Sequence, residues 1–596
     1  MCGIAGILTD NNTSPDRITH SIQSMQSALR HRGPDDAGIY LSSDRQTALA
    51  HTRLSILDLS PAGHQPMSTP DGRYHITFNG EIYNFQELRS QLKDETFQSQ
   101  TDTEVILKLY QRLGADCVTQ FRGMFAFAIW DDFTQTCFIA RDSLGIKPLY
   151  YWQSGSTLVF ASELRAVLAS HLPKIQLSPA GLYGYLTSGS VPEPHTLIEG
   201  VYCLPAGHWL QWQAGQVKQQ QYWQISFSNR PIAVEEAQAQ VRAALIDSVQ
   251  HHFISDVPVG IFLSGGVDST ALVALARQTQ AGSLQTYSIA FEDETFNEGT
   301  IAQKTAQHFE THHTEHCITA TQGRSMLPQY LAHLDQPSID GFNTFCVSQI
   351  AHQQGAKVVL SGLGGDELFG GYKSFQQVPQ MVRLSQKLKP LRPFGIALGM
   401  GLERWGTSDR LKRIGDFLQS PPTILAAYRS FRGIFSHQEA CMLARHYLSE
   451  PITPDRQFTD RPSLFPSLED EVSVLELTHY MRNQLLRDSD VMSMAWSLEL
   501  RVPLVDTQLL ETIASIPSAI RLAPGKLLLK QAIPELPQWV LNQPKRGFSF
   551  PFQKWLATDW QDYFPTLDYA PHISLDVWYR RWSLAILQHW WTQINS

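Results

Sequence analysis

What the sequence lacks narrows its function before any motif is read. No apolar run is long enough to span a bilayer, and the start has no basic region ahead of a long apolar core, so the expectation is a cytoplasmic protein with no membrane partner. Cationic excess is missing too: 47 Lys and Arg against 56 Asp and Glu leave a net charge of -9, which argues against nucleic acid as the main partner. The seven cysteines (Cys2, Cys117, Cys137, Cys203, Cys317, Cys346, Cys441) are scattered and never spaced C-x-x-C, so neither a zinc site nor a disulfide framework is indicated. The G-x-x-x-x-G-K-[ST] loop of β,γ-cleaving NTPases is absent, and so is any internal repeat.

What is present is the composition of a folded enzyme. Hydrophobic residues make up 43% and charged residues 17% of 596 positions, too many residues for a single core, so two domains are expected. The N-terminal third reads as strands and hairpins. YHITFNGEIYNFQELRSQL turns from alternation to helical spacing, with Asn84 as the expected cap and Glu87 at the capping-box position. MFAFAIWDDFTQTCFIARD is two β-rich runs around a polar turn. Between about 205 and 235 the chain becomes glutamine-rich and then changes to strand–helix alternation, which predicts domains over 2–215 and 230–596. In the second domain PVGIFL, LQTYSIAF and AKVVLSG are expected as strands of a parallel sheet that binds its ligand beyond the strand ends. The last 200 residues read as mostly helical.

LSGGVDST joins a strand to a helix. Gly265 and Gly266 let the backbone approach a phosphate, the hydroxyls of Ser264 and Ser269 can donate to it, and the helix N-terminus adds free N–H groups. A bare S-G-G would serve equally as a tight turn. Asp268 argues for more, because a carboxylate in a phosphate loop calls for an intervening cation such as Mg²⁺. VVLSGLGGDELFGGY repeats the theme at a second strand end, with Asp366 and Glu367 after its glycines.

These two loops resemble the ATP pyrophosphatase family, and together they resemble the synthetase domain of glutamine-dependent asparagine synthetases. The resemblance implies that Leu263 and Ile289 line the adenine pocket, Ser361 and Gly362 contact ATP, Asp268 and Asp366 hold Mg²⁺, and Lys545 in QPKRGFSFP neutralises pyrophosphate. It also gives MCGIAGI a meaning. Cys2 alone reads as a buried strand residue, but removal of Met1 would leave its α-amine beside its thiol as a built-in general base.

HTRLSILDLS, FNGEIYN and TDTE resemble the glutaminase motifs of the same family, in the same order. By that resemblance the Asn79 side chain and the Gly80 N–H form an oxyanion hole. Arg53 clamps the glutamine α-carboxylate. Glu81 and Asp102 hold its α-ammonium. HRGPDD (31–36) and ARDSLGIKPLYY (140–151) are also similar to family motifs and read as rigid turns. LRDSDVMSMAWSLELRVPLVD (486–506) extends the resemblance toward the C-terminus. The implied fold is an N-terminal nucleophile αββα sandwich followed by a parallel-sheet α/β ATP pyrophosphatase domain with a helical C-terminal part. The implied substrates are glutamine, ATP and aspartate, joined by an ammonia passage. A homodimer is compatible with the sequence, which does not fix the oligomeric state.

Two places depart from the pattern. Leu363 stands where the family usually has a glutamate near the reacting carboxylate, and leucine neither accepts a hydrogen bond nor moves a proton. Upstream, DQPSIDGFNTF (335–345) also differs from the family's usual acceptor-lining segment, although Asp335 and Asp340 could still serve there as acceptor contacts. Three readings follow: asparagine synthesis, amidation of another carboxylate such as a sugar acid or peptide, or a non-catalytic scaffold. Retention of Cys2, Arg53, Asn79, Asp102, Asp268, Asp366 and Lys545 argues against the last.

Overall fold

The computed structural model describes the chain except residues 11–13, 281, 294–296, 407, 449–464, 544–549, 565–572 and 596. Among the described residues the first part is built from β1 (Gly3–Leu8), β2 (Asp36–Leu41), β3 (Thr47–Arg53), β4 (Met67–Ser68), β5 (Tyr74–Ile82), β6 (Gly123–Asp131), β7 (Thr136–Arg141), β8 (Tyr150–Ser154), β9 (Thr157–Ala161), β10 (Val201–Cys203), β11 (His208–Gln213) and β12 (Gln216–Gln221). They form two antiparallel sheets, ordered β10-β8-β9-β1-β3-β2 and β12-β11-β7-β6-β5-β4. The sheets face each other, stitched by Thr77 Oγ1 donating to Ala50 O at 3.1 Å. Helix α1 (Pro15–Ala28) covers the outside of one, and α2 (Phe85–Gln91) and α3 (Asp102–Leu113) lie on the side of the other, with α3 against β5, which gives the αββα layering.

Strand β6 shows how sequence sets these layers. Phe125, Phe127 and Ile129 pack with Ile106 and Leu109 of α3, while the alternate Ala126, Ala128 and Trp130 join Ile4 and Leu49 between the sheets. Period-two alternation thus feeds two cores, and the alanines let the sheets approach closely. The Asn84 expectation needs correction. It stands at the N-cap position of α2 without a capping bond; its amide donates to Gln120 O at 2.9 Å and its Oδ1 accepts from Arg122 N at 3.0 Å. Two long-range main-chain partners outcompete the local cap, and Glu87 pairs with His251 at 3.5 Å.

The second part carries a wholly parallel sheet of β13 (Val259–Phe262), β14 (Gln285–Phe291), β15 (His312–Ile318), β16 (Val358–Leu360) and β17 (Glu499–Arg501), ordered β15-β14-β13-β16-β17. Strand order reverses between β13 and β16, so the loops leaving their C-terminal ends diverge around a crevice where α/β sheets bind ligands. Helix α4 (Val267–Thr279) starts there. The two parts are joined through buried charge: Arg122 pairs with both oxygens of Asp506 at 2.8 and 3.0 Å, and Arg32 with Asp490 at 2.8 Å.

Candidate active sites

Cys2 enters β1, whose register sets Gly3 opposite Thr52. Its N–H donates to Asn79 Oδ1 at 3.0 Å, and its carbonyl accepts from Arg32 Nε at 2.9 Å. Burial pushes the thiol pKa up, against the pull of the N-terminal charge, the Leu54 N–H and Arg53. A thiol so placed stays protonated and needs a base. Here the Cys2 nitrogen is an amide, a donor without a basic lone pair, because Met1 precedes it. Met1 is buried, and its α-amine meets Glu499 of β17 at 3.0 Å.

Asn79 presents the other half of its amide inward: among the described residues Nδ2 is buried without a hydrogen-bond partner. Such a donor in a protein interior is costly unless a ligand completes it. Gly80 follows at φ +152°, and a Cβ there would stand 2.1 Å from Met124 O, so only glycine fits. Arg53, at the end of β3, rests its guanidinium on the 57–60 loop through Ser60 O (3.0 Å), Leu57 O (3.3 Å) and Asp58 O (2.5 Å). Gly63 leaves the room it needs, since a Cβ would fall 1.9 Å from Nη2.

Asp102 opens α3 and accepts from Ile82 N–H at 2.9 Å; burial pushes its carboxyl up to about 7, opposed by that N–H and its neighbour at Thr103. Glu81 is 5% exposed and faces Arg501 at 3.3 Å. Burial first, then the nearby Glu499, push its pKa well up, and Arg501 pulls it back. The structure thus gathers Cys2, Asn79, Gly80, Glu81 and Asp102 around the inner ends of β1, β5 and α3, with Arg53 within electrostatic reach of the thiol.

The second cluster lies at the β13–β16 crevice. Leu263 and Ile289 sit buried on adjacent strand ends. Ser264 and Ser269 hydroxyls meet at 3.1 Å across the turn, Gly265 has φ +77°, and Gly266 caps α4. Gly362 presses its backbone on the first turn of α4, where a Cβ would meet Ser269 N at 2.9 Å. Ser361 N donates to Arg501 O at 2.9 Å. Asp268 and Asp366 converge on one ammonium: Lys526 Nζ lies 2.5 Å from an oxygen of each.

Glycines allow that convergence. A Cβ on Gly365 would stand 2.4 Å from Asp268 Oδ1, and one on Gly371 1.8 Å from Asp366 Oδ1. Two carboxylates aimed at one cation position, at the N-terminal end of α4, are oxygen donors of the kind that would hold a Mg²⁺. Among the described residues no group of three or more His, Cys, Asp or Glu is placed to hold a metal unaided. Lys545 lies outside the described residues.

Leu363 is half-buried, with its N–H on Ser361 Oγ at 3.4 Å. Of the alternative acceptor contacts, Asp335 is already committed: its oxygens accept from Leu164 N and Arg165 N at 2.8 and 2.9 Å and brace the first part. Asp340 instead lines a cavity of about 1870 Å³ whose walls include none of Cys2, Asn79, Asp268 or Asp366.

Sequence reasoning missed Lys526, Glu499, Arg501 and the reach of the two turn motifs. Gly33 does make a rigid turn, since a Cβ would strike Thr52 C at 2.3 Å. Yet its neighbours cross to the second part, Asp35 to Lys357 at 2.8 Å and Arg32 to Asp490. The signal available was SLELRVP, where Glu499 and Arg501 put two charges on one face of an otherwise apolar strand. Such charges must pair when buried. Lys526 carries no local signal.

A cysteine directly behind Met1, at the head of β1 in an αββα sandwich docked on a parallel-sheet unit with glycine-rich loops at its switch point, defines a two-part amidotransferase class. Residues 1–223 match the family described as Glutamine amidotransferase domain, and residues 240–584 match the one described as Asparagine synthase. The chain belongs to the asparagine synthase family. It is 33% identical to asparagine synthetase (glutamine-hydrolyzing) 1 of Bacillus subtilis (strain 168), over 94% of this chain and 89% of that one. It is also 33% identical to a putative asparagine synthetase (glutamine-hydrolyzing) of Mycobacterium tuberculosis, over 89% and 83%. Against asparagine synthetase B (glutamine-hydrolyzing) of Escherichia coli (strain K12) the identity is 32%, over 69% and 73%.

Proposed function

We propose that this protein is a cytoplasmic, glutamine-dependent asparagine synthetase: it converts aspartate, glutamine and ATP to asparagine, glutamate, AMP and pyrophosphate. The observation that carries this reading is the kinship just described, over 94% of this chain and 89% of the Bacillus subtilis synthetase, and two side-chain clusters suited to the two half-reactions support it. The division of labour follows the two parts, about 2–215 for glutamine and 230–596 for ATP and the acceptor.

With Met1 removed, the Cys2 amine takes the thiol proton, and the thiolate attacks the glutamine amide carbon. The unpartnered Asn79 Nδ2 and the Gly80 N–H receive the oxyanion. Arg53 binds the substrate carboxylate, and Glu81 and Asp102 its ammonium. Collapse to the thioester, with the proton passed from the Cys2 ammonium to the leaving nitrogen, releases ammonia; water then hydrolyses the thioester to glutamate and restores the Cys2 thiol.

In the second site Ser264, Gly265, Gly266, Ser269, Ser361 and Gly362 cradle the phosphates, and Leu263 and Ile289 border the adenine. Asp268 and Asp366 would hold Mg²⁺, which supplies charge neutralisation to the departing pyrophosphate. Lys526 and Lys545 add cations to the same end. Leu363 leaves orientation of the acceptor to other groups.

The test is purified protein with glutamine, ATP and Mg²⁺, with and without aspartate, followed by mass spectrometry. Asparagine and pyrophosphate that both require aspartate support the reading. Glutamate release with no aspartate-dependent pyrophosphate overturns it in favour of another carboxylate acceptor.

A further inference from the structure

The glutamine site as assigned lies in the first part of the chain, yet one of its carboxylates is not supported from there. Glu81 is enclosed with Asp102 and Glu499 nearby, and three carboxyl groups so close together cannot all stay ionised unaided. The guanidinium that faces Glu81 belongs to Arg501, 420 residues on and in the parallel sheet of the other part. Its geometry is fixed on three sides. Nη1 donates to His252 O at 2.9 Å and Ile254 O at 2.7 Å, Nε to Glu499 Oε1 at 2.6 Å, and Nη2 is turned to Glu81 at 3.3 Å. Among the described residues Nη2 has no hydrogen-bond partner, so this arm of the fork is left to Glu81, while Nε serves Glu499.

We propose that Arg501 is a positioning residue of the glutamine site, supplied by the synthetase part, which holds the Glu81 carboxyl group aimed so that it can receive the substrate ammonium. The proposal rests on the reading of Glu81 as an ammonium ligand. The groups that face Glu81 are Arg501 and Glu499 from β17, Asp102 from α3 and the N-terminal amine from the start of β1. Arg501 is the fixed cation of this set, since the amine must be neutral when it acts as a base. The glutaminase would thus be complete only when the two parts are docked. Strand β17 also touches the other site, through Arg501 O accepting from Ser361 N.

The experiment compares Arg501→Gln, Arg501→Lys and Glu81→Gln in the full chain, measuring glutamine KM and kcat across pH 6–9 and ammonia-dependent asparagine synthesis. Arg501→Gln is expected to raise glutamine KM about tenfold and to move the acid limb of kcat/KM upward by about one pH unit, as loss of a facing cation does. Arg501→Lys should recover much of both, and ammonia-dependent synthesis should stay within about twofold, because a point charge replaces the fork without altering the other site. An unchanged KM and acid limb in Arg501→Gln overturns the proposal, and so does an equal fall of glutamine- and ammonia-dependent rates. If Arg501→Gln does not fold, Arg501→Met takes its place, and an unchanged glutamine KM and acid limb there overturn the proposal. An unchanged KM in Glu81→Gln overturns the underlying reading; a raised one there beside a normal Arg501→Gln overturns the role of Arg501 alone.

Discussion

The carboxylate of Glu499 stands 3.0 Å from the α-amine of Met1, and neither side chain reaches solvent. A residue from the parallel sheet therefore closes over the start of the chain. The space that Met1 fills lies between the nucleophile and the second part, and the Cys2 nitrogen remains an amide for as long as Met1 is attached.

Retention of Met1 should silence glutamine use alone. A chain with a lysine inserted between Met1 and Cys2 resists trimming and keeps the Cys2 nitrogen acylated. Its glutaminase rate should fall by about 10²–10⁴, the worth of a general base, while ammonia-dependent synthesis continues. Intact-mass measurement confirms the N-terminus and a glutamate assay reads the loss. A normal glutaminase rate would exclude the amine as the base.

The Asn79 amide is divided between two tasks: Oδ1 holds Cys2 N, and Nδ2 waits for the oxyanion. Asn79→Asp keeps the acceptor and removes the donor. We expect kcat for glutamine hydrolysis to fall about 10²–10³-fold with little change in KM, since the interaction forms only in the transition state. Steady-state kinetics decide it, and a KM-only effect would move Asn79 to ground-state binding.

How far the sequence reveals such a site depends on distance along the chain. FNGEIYN carries Asn79, Gly80 and Glu81 on one strand, and the alternation of MFAFAIWD shows its two-sided burial, so both were readable locally. Arg122 and Asp506 form one buried ion pair across 384 positions, and no local pattern announces it. Lys526 looks like any helix-end lysine until the fold carries it between Asp268 and Asp366. Asn84 failed as a cap for the same reason: its partners at 120 and 122 arrive through the tertiary fold.

Asp102 predicts a pH dependence with a definite sign. Burial raises its folded-state value to about 7 from an ordinary 3.8. In the free enzyme this group's contribution to stability is full below the unfolded value and is lost as pH rises through 7. Glutamine brings an ammonium that favours the ionised form. Glutamine should therefore bind more weakly as pH falls from 8 to 6, by about tenfold per unit below 7, and raise the melting temperature more at pH 8 than at pH 6. Thermal shifts with and without glutamine across that range check it. In Asp102→Asn the dependence should flatten.

Gly371 isolates the second site from the first. A Cβ there would lie 1.8 Å from Asp366 Oδ1 and 2.5 Å from Lys526 Cε, so Gly371→Ala must displace the carboxylate, the ammonium or both. Asp366 sits on a five-residue helix, Gly365–Phe369, whose Gly365 is itself pressed against Asp268, and it has little room to retreat. A displacement of about 1 Å in a charge-positioning group costs about 10²-fold in rate, and overpacking of this kind costs about 1–3 kcal/mol in stability. Aspartate-dependent pyrophosphate release should fall accordingly while glutamine hydrolysis by Cys2 persists. Parallel assays of the two half-reactions, with a denaturation curve to weigh the folding cost, test this. Equal losses in both would mean that Gly371 matters to the fold as a whole and that the Asp268–Lys526–Asp366 cluster is not the centre of the ATP site.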